Sequence, residues 1–296
     1  MFLLYYYIFY LLSVFRNVYT SYKQVVKWKS YIPKTYGTKI RKVNTHNLKK
    51  QIIKLSNDKF SENIFIMMSL FFPYYEGGIV REIHVKDISE NKYVSQQERT
   101  HIKVHTDLNN CFEKDYTLLK KYVKFIYNLY VSNRFTGIGN YIAEIGFYFK
   151  ALDLIPNLKF LVEDRNIQRV FAWHFYEELE HGFDFGLPVI EQKNIFIRTC
   201  CALIGLIHYR NIWLLCVELP SILMCLYRNP LNFIIIFIKH LYINTWNKGK
   251  NDSLVLVSTM LQRFPSPHEK EIKKLQMKKY ILDEYNLNLD DEIIYF

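Results

Sequence analysis

The segment WHFYEELEHGFD, residues 173–184, says most about the fold of this chain. On a helix it brings His174, Glu178 and His181 to one face, because residues spaced i, i+4 and i+7 lie above one another. Phenylalanines flank this face, so it is not an ordinary solvated surface. Glu178 and His181 form a Glu-x-x-His pair, which presents a carboxylate oxygen and an imidazole nitrogen to the same point. The segment therefore predicts a helix with a buried polar face suited to a metal ion.

A second Glu-x-x-His pair lies upstream, in YVSQQERTHIKVHTDLN. Glu98 and His101 form this pair, and His105 follows one helical turn later. Ferritin-like proteins that hold two metal ions use two such pairs, together with one glutamate from each of two other helices. The two pairs therefore predict a further glutamate on the helix that precedes each of them.

Both glutamates are present. Glu76 follows FFPYY, and Glu144 lies in the otherwise apolar segment GIGNYIAEIGFYF. An uncompensated glutamate at such an apolar position would cost several kcal/mol. The six metal ligands predicted from the sequence are Glu76, Glu98, His101, Glu144, Glu178 and His181.

Charge gives a physical reason to expect metal at this site. Four carboxylates buried together would repel one another and take up protons unless cations compensate them. Two divalent ions bring four glutamates and two neutral histidines to zero net charge. Mixed oxygen and nitrogen ligands favour iron or manganese, with zinc as the alternative.

The remaining sequence predicts an all-α protein. Gly and Pro number only 10 and 8 in 296 residues, which suits long helices better than a turn-rich β fold. We expect a ferritin-like four-helix bundle followed by additional apolar helices. Charged residues and Pro220 interrupt the apolar stretch 195–243, which favours buried or membrane-surface helices over transmembrane ones. Helices are predicted from about residue 56 to Pro73 and over residues 76–90, 91–112, 114–131, 138–152 and 159–185.

The net charge of +11 is confined to the N-terminal part of the chain. No acidic residue precedes Asp58, so the body is neutral, which argues against a nucleic-acid-binding core. We expect residues 1–55 to form an apolar segment and a basic arm, residues 56–275 the metal-binding domain with its apolar helices, and residues 276–296 an acidic tail. The arm suits an anionic membrane surface. The alternative is a flexible basic tail.

The five cysteines bear on the compartment. Their odd number and the lack of any Cys-x-x-Cys motif favour reduced thiols in a cytoplasmic protein, and none is predicted as a ligand. We therefore expect a cytoplasmic location, with membrane association through the arm.

The motifs FFPYYEGG, QQERTHIKVH, AEIGFYF and FAWHFYEELEH together resemble the bacterial proteins named predicted metal-dependent hydrolases. The resemblance covers roughly residues 55–270, and RFPSPHEKE is similar to a late Phe-His-Pro element of that family, placing His268. It implies the same six ligands, with His105, His174 and Glu177 in or around the ligand shell. Two positions depart from the family pattern, since Ile145 replaces an expected His and Leu187 an expected Asp.

A site of this type supports more than one chemistry. We expect a dinuclear metal enzyme with oxidase- or oxygenase-type chemistry on a small or apolar, lipid-like substrate, an expectation by analogy with the fold. Metal-assisted hydrolysis through metal-bound hydroxide is the first alternative. A non-catalytic, membrane-peripheral helical protein is the second.

Overall fold

The computed structural model describes residues 2–28, 40–55, 60–85, 92–131, 136–181, 194–228 and 245–296. These residues are mostly helical, as the sequence predicts, with one short two-stranded parallel sheet. The helices are α1 Phe2–Val25, α2 His46–Lys49, α3 Phe60–Val85, α4 Lys92–Cys111, α5 Thr117–Val131, α6 Thr136–Leu154, α7 Leu158–Leu161, α8 Arg165–His181, α9 Ile195–Trp213, α10 Leu219–Arg228, α11 Thr245–Leu261 and α12 Pro267–Tyr285. The strands are β1 Lys42–Asn44 and β2 Ile293–Tyr295.

Helix α3 continues through Pro73, where the sequence predicts a helix end. Proline has no N–H, so the carbonyl of Ser69, four residues earlier, loses its helical donor. The side-chain amide of Asn109 on α4 donates to this carbonyl at 2.9 Å. The predicted break at Pro73 is wrong because the neighbouring helix supplies the missing hydrogen bond.

Helix α8 begins later than the sequence predicts. A single helix is expected over 159–185, but the structure has the short α7 and then starts α8 at Arg165. The carboxylate of Asp164 accepts the N–H groups of Asn166 and Ile167 at 2.9 and 3.0 Å. Asp164 therefore acts as an N-cap, which satisfies donors that a continuous helix would have bonded internally.

Helices α3 and α4 run in opposite directions. Ser69 of α3 contacts Asn109 near the end of α4, whereas Gly77, two turns later in α3, lies against Ile102. The pair encloses one half of a buried interior formed with α6 and α8.

Helices α6 and α8 complete this interior. Phe72 of α3 packs against Phe147 of α6, and Tyr75 bonds Glu144, so α6 runs opposite to α3. Helix α8 runs in the same direction as α3. Phe65 of α3 contacts Phe171 of α8, and the later residue Phe72 contacts the later residue His174. The order of directions along the chain is therefore up, down, down and up for α3, α4, α6 and α8.

Helix α1 packs closely along α11. A Cβ atom at Gly249 would lie 2.0 Å from Ser13 Oγ, so the two backbones approach at a position that only glycine permits. Tyr10 donates to Asp252 at 2.8 Å, and the hydroxyls of Ser21 and Ser253 lie 2.7 Å apart. One face of the apolar N-terminal segment is therefore part of the folded body.

The basic arm and the acidic tail meet in the sheet. Strands β1 and β2 pair in parallel, with Lys42 opposite Ile293. Helix α12 crosses residue 276 without interruption and ends at Tyr285, and the next residue, Asn286, caps it in a left-handed conformation. The final residue, Phe296, is buried, and its ring lies 5.6 Å from that of Trp173 on α8. The C-terminal tail thus reaches the helix that carries the central motif.

A π-helical turn, Leu214–Glu218, joins α9 to α10, so Pro220 does not divide the helix as the sequence predicts. The wider turn precedes the proline, whose ring would otherwise crowd the carbonyl four residues back. Among the described residues, Ile195–Tyr227 is long and apolar enough to cross a membrane, but 61% of its most apolar window is buried within the protein. The five cysteines, all in described residues, form no disulfide.

Candidate metal centre

Four glutamates and two histidines converge between α3, α4, α6 and α8. Each is at most 3% exposed, although all are ionisable. Every one of the four helices contributes at least one of them. The set is Glu76 from α3, Glu98 and His101 from α4, Glu144 from α6, and His174 and Glu178 from α8.

The donor atoms form two groups that share Glu178. One group joins Glu76, His101, His174 and Glu178, and the other joins Glu98, Glu144 and Glu178; within each, the donor atoms lie within 4.8 Å of one another. Metal to nitrogen and oxygen bonds are about 2.0–2.2 Å long, so donors across one ion are about 4 Å apart. Each group therefore has the dimensions of a single-ion site, and Glu178 belongs to both groups.

Glu76 provides a direct test of whether cations fit here. Neither of its carboxylate oxygens has a hydrogen-bond partner among the described residues, and the side chain is 1% exposed. Burial, and then the charges of Glu98 and Glu144, raise the pKa of Glu76 well above its usual range, against the lowering effect of His101. An ionised carboxylate buried without a hydrogen bond costs free energy unless a cation lies beside it. A bound metal ion would supply that positive charge.

Two other carboxyl groups of the site, Glu144 and Glu178, also have raised pKa values. Burial and the neighbouring glutamates raise the pKa of Glu144, and burial and Glu98 raise the pKa of Glu178. Tyr75 donates to Glu144 at 3.0 Å, which is one of the few contacts that favour its charged form. Without a cation the site therefore favours the protonated forms of these carboxyl groups.

His101 is oriented by a carboxylate behind it. Its Nε2 atom lies 2.9 Å from Glu177, whose other oxygen accepts hydrogen bonds from Trp173 at 3.0 Å and Arg41 at 3.2 Å. Glu177 can only accept, so Nε2 of His101 donates, and Nδ1 faces the glutamates. Burial opposes protonation of His101, but the hydrogen bonds to Glu177 and Glu98 outweigh it and raise its pKa. A carboxylate that fixes the outer nitrogen of an imidazole is a regular feature of metal sites.

His174 is oriented by a hydrogen-bonded chain whose direction can be assigned from its far end. The Ser69 carbonyl only accepts, so the Asn109 amide donates to it, and the amide oxygen accepts the Ser69 hydroxyl proton at 2.7 Å. Ser69 Oγ must then accept from His105 Nδ1 at 3.1 Å. His105 Nε2 in turn accepts from His174 Nδ1 at 2.7 Å.

Because this series of hydrogen bonds places the proton of a neutral His174 on Nδ1, the lone pair is on Nε2. That atom lies 3.1 Å from Glu178 Oε1 and 3.5 Å from Glu76 Oε1, inside the first donor group. Burial and then the proximity of His101 lower the pKa of His105, so His105 carries a single proton, as the chain requires. His101 and His174 thus both present an unprotonated nitrogen to the same group once a metal replaces the proton on His101.

Aromatic side chains surround the donor groups. The Phe72 ring lies 4.4 Å from that of His174, and Trp173 meets His101 edge to face at 5.1 Å. These walls exclude water from the donor atoms, which strengthens every electrostatic interaction inside.

The structure accounts for the predicted site residues as follows. Glu76, Glu98, His101, Glu144 and Glu178 lie together, and His174 joins them although the sequence places it outside the six ligands. His105 and Glu177 contact the two imidazoles from behind. The backbone of His181 ends α8, but its side chain lies outside the described residues, as does Leu187. His268 is exposed in the first turn of α12, and Ile145 is fully buried.

Sequence reasoning missed Arg41, Ser69, Tyr75 and Asn109. Arg41 belongs to a basic segment, where nothing in the pattern distinguishes a buried arginine from exposed ones. It forms a bidentate pair with Glu180, with one bond of 2.8 Å, and also contacts Glu177. For Ser69 and Asn109 the sequence contains one indication, Pro73, because a proline inside a helix leaves the carbonyl four residues earlier in need of another donor.

No protein-family model, curated protein or solved structure matches this chain.

Proposed function

We propose that this chain is a ferritin-like protein that binds two divalent metal ions between α3, α4, α6 and α8. The observation that carries the proposal is the pair of buried donor groups that share Glu178. The ligands are Glu76, Glu98, His101, Glu144, His174 and Glu178, and the sequence motif adds His181 as a candidate for the second group. Membership of the predicted metal-dependent hydrolases is part of this proposal and rests on the order of the motifs.

The directions of the helices support the ferritin-like assignment. Such bundles consist of two antiparallel pairs joined by one long crossover. In this chain α3 and α4 form one pair, α6 and α8 the other, and α5 occupies the connection between them. The ligands follow the corresponding order, one glutamate and then a Glu-x-x-His pair in each half.

The charge of the site supports two divalent ions. Four buried glutamates carry four negative charges when ionised, and the imidazoles are neutral as ligands. Oxygen-rich donor sets with imidazole suit iron or manganese, whereas structural zinc prefers closed tetrahedral sites. We therefore propose iron or manganese as the resident metal, with zinc as the alternative that analysis of the protein would reveal.

We propose oxidase- or oxygenase-type chemistry on a small or apolar substrate. When bound, a redox-active pair of ions supplies electrons to dioxygen. The chain itself keeps the donors within an aromatic enclosure and fixes both imidazoles through Glu177 and His105. The Tyr75 hydroxyl donates to Glu144 over an oxygen–oxygen distance of 3.0 Å, and burial and the Glu144 charge raise the pKa of Tyr75. The near-complete burial of every donor favours a reactant as small as dioxygen.

Elemental analysis of the purified protein, with an optical spectrum recorded under air, tests this function. Two iron or manganese ions per chain and a charge-transfer band are expected. Two zinc ions without such a band would favour metal-assisted hydrolysis instead. A protein that binds no metal after incubation with iron, manganese or zinc would refute the dinuclear site and favour the non-catalytic reading.

Three glutamine variants sharpen the test. Glu178→Gln should lose both ions because Glu178 belongs to both groups, and Glu144→Gln should lose one. Glu180→Gln is the matched control on the same helix, since Glu180 pairs with Arg41 and belongs to neither group. Equal metal content in Glu178→Gln and Glu180→Gln would contradict the assignment of Glu178 to both groups.

A further inference from the structure

Helix α1 has two apolar faces, and only one packs against the protein. Tyr10, Val14 and Val25 are buried on the side that meets α11. The opposite side carries apolar and aromatic side chains that are between 43% and 66% exposed: Ile8, Leu12, Phe15, Tyr19 and Tyr22. A helix on the surface of a water-exposed domain normally presents polar residues on its outer face.

These exposed side chains form one continuous stripe. Successive members lie three or four residues apart, the spacing that aligns side chains along one face of a helix. A contiguous exposed apolar surface of this kind marks a site of interaction rather than scattered surface hydrophobes. We therefore expect the stripe of α1 to contact an apolar partner.

Basic residues border the stripe. Arg16 and Lys23 are exposed along one edge of it, and Lys23 Nζ lies 4.4 Å from the centroid of the Tyr19 ring. No acidic residue occurs before Asp58, so the surface that α1 presents has a single sign of charge along the chain. An apolar stripe with a basic edge is the arrangement of helices that lie in the interface of anionic membranes.

Helix α9 also exposes apolar side chains, Phe196, Ile204 and Ile207. Tyr7 of α1 donates to Asn211 of α9, and Tyr7 packs against the core. This bond therefore holds the packed side of α1 to the protein and leaves the stripe free to meet a partner.

We propose that the exposed face of α1 docks on an anionic membrane surface. This goes beyond the metal site and does not depend on it. A second copy of the chain is a poorer partner, because two basic edges would face each other. Helix α5 also exposes Leu118 and Phe125 beside Lys121 and Lys124, but its exposed apolar residues are fewer and less regularly spaced than those of α1. The longer stripe thus selects α1 as the docking face.

Sedimentation of the full-length protein with lipid vesicles tests the proposal. Vesicles of phosphatidylcholine with phosphatidylglycerol are compared with phosphatidylcholine alone, at low and high salt. The variant Leu12→Ser with Phe15→Ser removes two exposed members of the stripe. Its matched control is Phe160→Ser with Leu275→Ser, at positions that are 75% and 57% exposed elsewhere on the surface. Circular dichroism and thermal melting confirm that each variant folds.

The protein should bind anionic vesicles at low salt, and the stripe variant should bind about tenfold more weakly or worse. Replacing Arg16 and Lys23 by Gln should weaken low-salt binding by about fivefold per residue. Unchanged binding of the stripe variant would overturn the proposal, as would equal binding to neutral vesicles at high salt. A wild-type dimer in light scattering that the stripe variant converts to monomer would show instead that this face joins two copies.

Discussion

Replacing Glu76 by glutamine should stabilise the metal-free protein and weaken its metal binding at the same time. Both oxygens of Glu76 are buried without a hydrogen-bond partner among the described residues. Burial and the nearby glutamates raise its pKa, so without metal the folded chain favours the protonated form of Glu76 more than the unfolded chain does. Glutamine has nearly the same shape and needs no proton, but it offers a metal ion no negative charge.

The size of the stabilisation follows from proton uptake. A glutamate whose usual pKa is 4.5 and whose folded-state pKa is raised takes up protons when the metal-free protein folds at higher pH. This uptake costs about 1.4 kcal/mol per pH unit above the unfolded-state pKa, up to the folded-state pKa, so its upper bound at pH 7 is about 3 kcal/mol. Because the folded state binds more protons, the free energy of unfolding falls as pH rises towards the folded-state pKa. Glu76→Gln should therefore gain up to about 3 kcal/mol at pH 7 and little near the usual pKa of glutamate.

Denaturant unfolding of chelator-treated protein at pH 5 and pH 7 measures this difference, and metal analysis of the untreated protein gives the second readout. Glu180→Gln is the control, and it should lower stability because it weakens the pair with Arg41. If Glu76 only stabilised the fold, Glu76→Gln would lower the free energy of unfolding at pH 7 instead of raising it. A variant less stable than wild type at pH 7, or one that still holds two ions, would refute the reasoning.

Three further predictions test the surroundings of the site. Asn109→Ala removes the end of the chain that orients His174, so metal affinity should fall about 10- to 100-fold in a chelator competition assay. Arg41→Met leaves buried carboxylates without their cation and should lower the free energy of unfolding by about 3–5 kcal/mol, measured with denaturant. Gly249→Ala should destabilise by about 1–3 kcal/mol because its Cβ would lie 2.0 Å from Ser13 Oγ. Gly146→Ala, whose added carbon meets nothing within 4 Å, is its matched control and should be neutral or stabilising.

The helices and most of the donor residues could be predicted because both depend on local spacing. Glu98 and His101 lie one turn apart, and any helix over that segment brings them to one face. Glu144 stands out because a lone carboxylate in an apolar helix is costly. The all-helical fold follows from the same periodicity, which does not require knowledge of distant contacts.

What could not be predicted depends on contacts between distant segments. Whether Pro73 ends a helix is decided by Asn109, a residue on another helix. The spacing of the central motif places His174 and His181 equally well on the polar face. Only the packing of α4 against α8, which sets His105 beside His174, brings His174 into the first donor group. The burial of Arg41 likewise depends on the sheet that β1 forms with the far end of the chain.

The two imidazoles of the first donor group are fixed by different means. Behind His101 stands a charged acceptor, Glu177, held in place by Arg41 and Trp173. Behind His174 stands a neutral chain that ends at the Ser69 carbonyl, which is exposed to side-chain bonding only because Pro73 removes its helical donor. A charged acceptor increases the basicity of the imidazole it contacts more than a neutral one does. His101 should therefore be the stronger electron donor of the pair, and the proline within α3 is part of the metal site although it contacts none of its ligands.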